Sequence, residues 1–208
     1  MVLVYGEAET GKTTLATQCA VNCARMGYKT IFMDCDGTFF GARMEQIAGN
    51  DFDDLGPRII LMKPEDFEQQ TFIIDRLGDY ISKTIGLIVV DTITGLYREK
   101  FGDGAEKTFV LNRELNRQMA SLAEITKTRK VVSLITSQVR SVFYGQQNEL
   151  VQPVATRVLK FWADTVISLR PTARTNVVRA SIERYKGKKQ AKPVFVGIQK
   201  NGIRDGKA

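Results

Sequence analysis

Apolar residues fall in blocks of two kinds along this chain. Short continuous apolar runs at residues 2–5, 30–34, 58–62, 87–91 and 131–136 predict strands, and the run at 87–91 is typical of a strand buried on both faces of a parallel sheet. Longer stretches, with apolar residues at helical spacing or with helix-start signals, predict helices over residues 12–25, 64–83, 106–128 and 153–163. Three more strands are predicted at residues 165–170, 177–185 and 193–199, with a hairpin tip at 186–190.

This order predicts an α/β fold. Strands that alternate with helices form a mostly parallel central sheet flanked by helices, and the last strands, joined by turns, extend it as antiparallel strands. The 208 residues show no repeat, low-complexity tract or linker. We therefore expect a single domain over residues 1–208.

Composition adds a charge asymmetry and little else. The net charge of +7 is concentrated after residue 156, where Lys and Arg far outnumber Asp and Glu. Such a basic segment suits a polyanionic partner, although a solvated basic face would look the same. The three cysteines form no disulfide framework, and no apolar run reaches the roughly 18 residues of a membrane span. We expect a cytoplasmic protein with no membrane contact.

The strongest chemical signal is a Walker A loop between the first predicted strand and helix. Gly6, Gly11, Lys12 and Thr13 satisfy G-x-x-x-x-G-K-[ST], in which glycines let backbone N–H groups cradle phosphates. Lys12 would reach the β- and γ-phosphates of ATP, and the Thr13 hydroxyl would bind Mg²⁺. The predicted nucleotide-binding residues are Gly6, Glu7, Ala8, Glu9, Thr10, Gly11, Lys12, Thr13 and Thr14.

Polar residues also follow three other predicted strands. Asp91 ends the most apolar one and is the natural second Mg²⁺ ligand, since ligands bind at the carboxyl ends of parallel strands. Asp34 and Asp36 flank the end of another strand. Either could orient the attacking water or cap the loop at Gly37, and we favour Asp36 for the water. Gln138 could contact the γ-phosphate and report its presence to the next loop. The predicted catalytic residues are Lys12, Asp36, Asp91 and Gln138.

The ordered set of segments resembles a known family. GEAETGKTT, DCDGTF, KPEDF, LIVVDTITGLYRE and ITSQV occur in the order and spacing of the RecA/RadA recombinase family. The match covers nearly the whole chain and is similar to the ATPase core of the archaeal RadB-like recombinase paralogues. A Walker A loop alone is shared by many NTPases, whereas the ordered set is far more specific.

The resemblance implies a RecA-like fold that binds ATP and Mg²⁺ and associates with neighbouring subunits. It implies two loops facing single-stranded DNA, at about residues 98–108 and 140–152, because basic groups neutralise phosphates and aromatic rings stack on unpaired bases. The residues so implied are Arg98, Lys100, Arg140, Phe143 and Tyr144. The expected function is that of a paralogue that assists the main RadA-type recombinase in homologous recombination and repair.

The chain also departs from the family pattern. Recombinases of this family usually carry Glu at the position of Asp36, and the shorter arm predicts slow ATP hydrolysis. The helix-hairpin-helix domain and the segment that usually precede the P-loop strand are missing from the sequence, which favours a mediator over a filament-forming enzyme. The second loop is short of glycine, having only Gly145. This makes strand exchange through that loop uncertain.

Other function classes remain open at this stage. An active DNA-dependent ATPase that forms its own filaments would use the same Walker residues and the basic C-terminal segment. A P-loop kinase would need an arginine-rich lid, which the sequence does not show. A clock-type signalling ATPase on the same fold would be distinguished by autophosphorylation on Ser or Thr.

Overall fold

The computed structural model describes residues 1–39, 41–100, 105–144, 148–153, 155–185 and 192–206, with the backbone alone for residues 105–107, 140–144 and 148–153. The strands are β1 (Val2–Gly6), β2 (Lys29–Asp34), β3 (Ile59–Met62), β4 (Ile85–Asp91), β5 (Val132–Ser137), β6 (Val139–Tyr144), β7 (Asn148–Pro153), β8 (Thr165–Pro171), β9 (Val177–Tyr185), β10 (Val194–Gln199) and β11 (Gly202–Asp205). The helices are α1 (Lys12–Arg25), α2 (Gly41–Ala48), α3 (Phe52–Leu55), α4 (Phe67–Tyr80), α5 (Gly95–Glu99), α6 (Ala105–Thr128) and α7 (Thr156–Trp162).

Among the described residues, nine strands form one twisted sheet in the order β11-β10-β9-β8-β1-β5-β4-β2-β3. The strands from β8 to β3 run parallel, because each connection between them crosses over through one or more helices. Strands β9, β10 and β11 are joined by turns and add to the sheet antiparallel. The predicted α/β fold class, with its antiparallel C-terminal strands, is confirmed.

Helices cover both faces of the sheet. On one face α1 presents Ala16 and Ala20, whose small side chains let the helix backbone lie close to Val4, Phe32 and Val89. On the other face α6 presents Leu115, Met119 and Leu122, at spacings of four and three residues, to a core of sheet residues that includes Leu3, Ile88 and Ile135. Burial of each such side chain stabilises the fold by about 1.5–3 kcal/mol. The apolar strands are therefore the centre of a three-layer core.

Several predicted boundaries were wrong. The helix predicted at 64–83 begins at Phe67, not at residue 64, because the Asp66 side chain accepts a hydrogen bond from Gln69 N–H and caps it there. The predicted helix at 153–163 begins only at Thr156, since Pro153 belongs to β7. Residues 140–152, predicted as a polar loop, contain β6 and β7, which pair antiparallel in a sheet of their own. The predicted hairpin tip at 186–190 lies outside the described residues.

Candidate nucleotide site

The candidate site residues meet at one edge of the sheet. Strands β1, β5, β4 and β2 are consecutive neighbours, and parallel pairing brings their carboxyl ends to the same edge. In register, Met33 lies beside Val90 and Asp34 beside Asp91, while Val90 lies beside Ile135. The Walker A loop and the three polar strand ends are therefore assembled by pairing that local sequence does not encode.

The Walker A loop connects β1 directly to α1. Gly11 adopts a left-handed conformation, with φ of 83°, immediately before the first turn of α1, and Glu9 has φ of 62°. The Thr10 hydroxyl donates to the Glu7 carbonyl at 2.8 Å and holds the loop closed. A Cβ on Gly6 would collide with the Leu169 carbonyl oxygen and lie 2.7 Å from Thr10 Oγ1. Position 6 therefore requires glycine because a Cβ would clash there, and position 11 favours glycine because its backbone is left-handed.

Lys12 lies inside the loop rather than on the surface. Only 8% of the residue is exposed, and its Nζ donates to the Glu7 carbonyl at 2.6 Å. Burial lowers the pKa of Lys12, and the nearby charges of Asp91, Asp36 and Glu7 partly oppose that effect. A poorly hydrated ammonium at a helix N-terminus is a strong partner for a phosphate.

Asp91 is fully buried at the end of β4. The Thr136 hydroxyl donates to Asp91 Oδ1, whereas Oδ2 is buried without a hydrogen-bond partner. Burial raises the pKa of Asp91, against the stabilising effect of the Thr136 and Thr13 hydroxyls. A buried carboxylate oxygen left bare beside a threonine hydroxyl is a donor set of the kind that Mg²⁺ takes. The residues present therefore fit the predicted metal, and Thr13 and Asp91 stay its predicted ligands.

The two carboxylates after β2 have different surroundings. Asp34 is buried, and its two oxygens accept from the N–H groups of Thr38 and Phe39 at 3.0 and 3.1 Å, as in a loop cap. Asp36 is only partly buried and accepts from the Thr92 hydroxyl at 2.9 and 3.1 Å. Of the two, Asp36 is the carboxylate that is free to contact a water.

Gln138 links Asp36 to the end of α5. Its Nε2 donates to Asp36 Oδ2 at 3.0 Å, and its Oε1 accepts from the Arg98 guanidinium. These residues line an open cleft of about 420 Å³, together with Thr38, Gly95 and Glu99. The predicted catalytic carboxylate, the predicted γ-phosphate contact and one predicted DNA contact thus form one connected chain.

Residues of the C-terminal strands β10 and β11 pack against the Walker A loop. Ile198 of β10 lines a depression of about 210 Å³ with Glu9, Gly11, Lys12, Thr13 and Thr14. Gln18 of α1 accepts from the Ile203 N–H at 2.6 Å and donates to the Ile203 carbonyl at 3.2 Å. The β10–β11 turn is therefore fixed against the helix that follows the loop.

The predicted DNA contacts are placed unequally. Arg98 is exposed but bonded to Gln138, and Lys100 forms an ion pair with Glu68. Arg140, Phe143 and Tyr144 lie on β6, opposite Gln152, Glu149 and Asn148, and only their backbone is described. Residues 101–104 and 145–147 lie outside the described residues. The DNA-binding role of these residues stays a prediction.

Sequence reasoning missed several residues of the site. Thr92 follows Asp91 directly and orients Asp36, and Thr136 bonds Asp91 from the neighbouring strand. Gly95 lies so close to Asp36 that any Cβ there would collide with Asp36 Oδ1. Thr92 could have been found from the sequence, because it directly follows the predicted ligand Asp91. Thr136 and Gly95 could not, because their contacts depend on strand pairing and on close packing between distant residues.

Comparison with known proteins agrees with this geometry. The Rad51 family profile matches residues 1–206. The DNA repair and recombination protein RadB of Methanosphaera stadtmanae is 30% identical over 201 residues, covering 96% of this chain and 84% of the relative. RadB of Methanococcoides burtonii is also 30% identical over 201 residues, with coverage of 97% and 87%. A crystal structure of the RadB recombinase superposes with a TM-score of 0.81 at 28% identity, covering 99% of this chain and 90% of that one.

Among the residues that the structure describes, no helix is both long and apolar enough to cross a membrane.

Proposed function

Because this chain belongs to the Rad51 family, we propose that it binds ATP with Mg²⁺ in its Walker A loop, hydrolyses it slowly, and assists homologous recombination and DNA repair. The observation that carries this proposal is that two buried groups of opposite charge lie at the same sheet edge, with polar contacts that are not complete. Lys12 is a buried cation bonded to a backbone carbonyl, and Asp91 is a buried carboxylate with one bare oxygen. A triphosphate with its metal ion would complete both.

Nucleotide binding would use residues already held in place. The N–H groups of residues 6–14 and the N-terminus of α1 would bind the phosphates, and Lys12 would exchange the Glu7 carbonyl for the β- and γ-phosphate oxygens. Thr13 and Asp91 would hold Mg²⁺, which would supply positive charge to the phosphoryl oxygens. Ile198 lines the same depression as these residues.

Hydrolysis would depend on Asp36. Thr92 and Gln138 donate hydrogen bonds to its carboxylate, which fixes its orientation toward the open cleft where a water can enter. A carboxylate within hydrogen-bond reach of that water can act as its general base. Both donors also occupy lone pairs that a water would use, and aspartate is one methylene shorter than the glutamate of the family pattern. We therefore propose a slow rate.

DNA binding would be modest in this state. Arg98 donates to Gln138 and Lys100 pairs with Glu68, so a DNA phosphate would share Arg98 with an amide and compete with a carboxylate for Lys100. The relatives are named as DNA repair and recombination proteins. We propose single-stranded DNA as the ligand, with Arg140, Phe143 and Tyr144 as further contacts, and a RadA-type recombinase and further copies of this chain as protein partners.

The test is steady-state ATP hydrolysis with and without single-stranded DNA, with Lys12→Ala as the blank and Asp36→Ala as the second variant. A slow rate indifferent to DNA, lost in both variants, supports the accessory role. A large stimulation by DNA would favour instead an active DNA-dependent ATPase that forms its own filaments. Hydrolysis that survives in Lys12→Ala would contradict the proposed site.

A further inference from the structure

Two glutamines are fully buried between α4 and α6, in the part of the core nearest to the site. Gln70 and Gln118 have no exposed surface. Gln70 Nε2 donates to Gln118 Oε1 at 2.7 Å, and Gln118 Nε2 donates to Thr71 Oγ1 at 2.6 Å. Buried amides are costly unless every polar atom is bonded, and Gln70 Oε1 has no hydrogen-bond partner. Fold stability alone does not account for this pair.

The pair reaches the segment that orients Asp36. Gln70 Nε2 also donates to the carbonyl of Ile93, at 3.2 Å. Ile93 directly follows Thr92, whose hydroxyl binds both oxygens of Asp36. The Ile93 N–H donates to the Thr136 carbonyl at 3.1 Å, so this residue is held from the sheet side by β5 and from the helix side by Gln70.

We propose that Gln70 is a positioning residue for Asp36: through the Ile93 carbonyl it fixes the segment whose Thr92 hydroxyl orients that carboxylate, and Gln118 fixes Gln70. The inference rests on the proposed hydrolytic function for its catalytic consequence, but not for its structural one. An apolar side chain of the same length would pack between α4 and α6 and leave the Ile93 carbonyl without this donor. Gln70 contacts no substrate and acts only through Thr92 and Asp36.

The test compares Gln70→Met with wild type. Met is unbranched and similar in length, so it fills the space while removing the amide. Amide hydrogen exchange of Ile93 and Gly95, whose N–H groups bond the Thr136 and Thr92 carbonyls, should become roughly fivefold faster in the free protein. Turnover should fall on the order of tenfold or more, with the KM for ATP unchanged, because a misplaced general base costs rate and not binding.

A matched control and a second variant keep the outcome decisive. Thr126→Val removes a comparable half-buried link from α6 to Ser133, near the opposite end of β5, and should change neither exchange at Ile93 nor turnover. Gln70→Met/Gln118→Met removes both amides, and with them the bare Oε1, and serves if the single variant does not fold.

Each result decides the inference. Unchanged exchange at Ile93 and Gly95 overturns the positioning role, whatever the rate. Faster exchange with unchanged turnover overturns the link to catalysis. If wild type hydrolyses no more ATP than Lys12→Ala, the proposed hydrolysis fails, and the exchange measurement alone then decides whether Gln70 holds the segment.

Discussion

Gly95→Ala is the sharpest perturbation of the site, because it moves Asp36 without altering it. A Cβ built on Gly95 would overlap Asp36 Oδ1 and lie 3.0 Å from its Cγ, whereas ordinary van der Waals contact needs 3.4–4 Å. The carboxyl carbon must therefore move by roughly 0.4–1 Å, away from the orientation that the Thr92 hydroxyl gives it. The carboxylate is the end of a rotatable side chain and yields first, while the backbone carbonyl oxygen of Cys35, 3.2 Å from the same Cβ, must give by a few tenths of an ångström.

The expected effect of this substitution on stability is small, whereas its expected effect on the hydrolysis rate is large. Gly95 is the first residue of α5, and alanine is favoured over glycine in a helix by up to about 1 kcal/mol. Displacement of Asp36 weakens its hydrogen bonds from Thr92 and Gln138, each worth about 1 kcal/mol, so with this gain included the free energy of unfolding should fall by about 1–2 kcal/mol. A displacement approaching 1 Å at a catalytic group can lower the rate on the order of 100-fold.

The assay is single-turnover ATP hydrolysis with enzyme in excess, beside ATP affinity and urea unfolding. Gly78→Ala is the matched control, since a Cβ there makes only an ordinary 3.7 Å contact with Ile125, far from the site. We expect a large loss of rate in Gly95→Ala only, with ATP affinity retained. Asp36→Ala/Gly95→Ala should be no slower than Asp36→Ala. A wild-type rate in Gly95→Ala, or additive losses in the double variant, would refute the role given to Asp36.

Three further predictions follow from the charged groups. Asp91→Asn should stabilise the free protein by about 1–3 kcal/mol at neutral pH, as measured by urea unfolding. Burial raises the pKa of Asp91, so the cost of burying the charged carboxylate is present above that pKa, and the stability advantage of Asn should shrink as pH falls. Equal stability of the two proteins at neutral pH would count against an unpaired charge at Asp91. Glu183 of β9 accepts hydrogen bonds from Lys160 Nζ, at 2.7 Å, and from the Tyr5 hydroxyl; burial alone would raise its pKa, but these bonds outweigh burial and lower that pKa. The stability that Glu183 contributes should therefore be present above its ordinary pKa of 4.5 and be lost as pH falls through the lowered value. Glu183→Gln should flatten the acid limb of the stability curve, and an unchanged limb would exclude these bonds as its source. Arg98→Ala should make the slope of log affinity for single-stranded DNA against log salt concentration shallower by about 0.7, the value for one lost phosphate contact, whereas Arg98→Lys should keep the wild-type slope. Equal slopes in wild type and both variants would show that Arg98 does not contact DNA.

The nucleotide loop and the strand order along the chain were predictable because each is written in one continuous segment. Residues 6–14 carry their own conformational requirements, and a continuous apolar run such as 87–91 marks a strand buried on both faces. The identification of Asp36 over Asp34 rested on a weaker basis. The structure separates the two by their donors: backbone N–H groups for Asp34, side chains for Asp36.

The remaining parts depend on contacts between distant residues. Within the part of the chain that the structure describes, strands β6 and β7 pair only with each other. Their residues lack the apolar run that marks a strand of the main sheet, and they were therefore predicted as a loop. The contact between Arg98 and Gln138 spans 40 residues and requires β4 and β5 to be neighbours. Pattern alone gives the existence of those strands and not their order in the sheet.

The two least favourable groups in the site are complementary. Burial lowers the pKa of Lys12 and raises that of Asp91, so each resists the charge that it would need to bind a metal–triphosphate complex. A phosphate would favour the charged form of Lys12, and Mg²⁺ would favour that of Asp91, because each would supply an opposite charge beside a group that burial deprives of solvent. Nucleotide and metal added together should therefore raise the free energy of unfolding by more than the sum of the increases that each produces alone. Each increase should grow with the logarithm of ligand concentration. The unfavourable burial of these two charges would then contribute to selectivity for the complete metal–triphosphate complex.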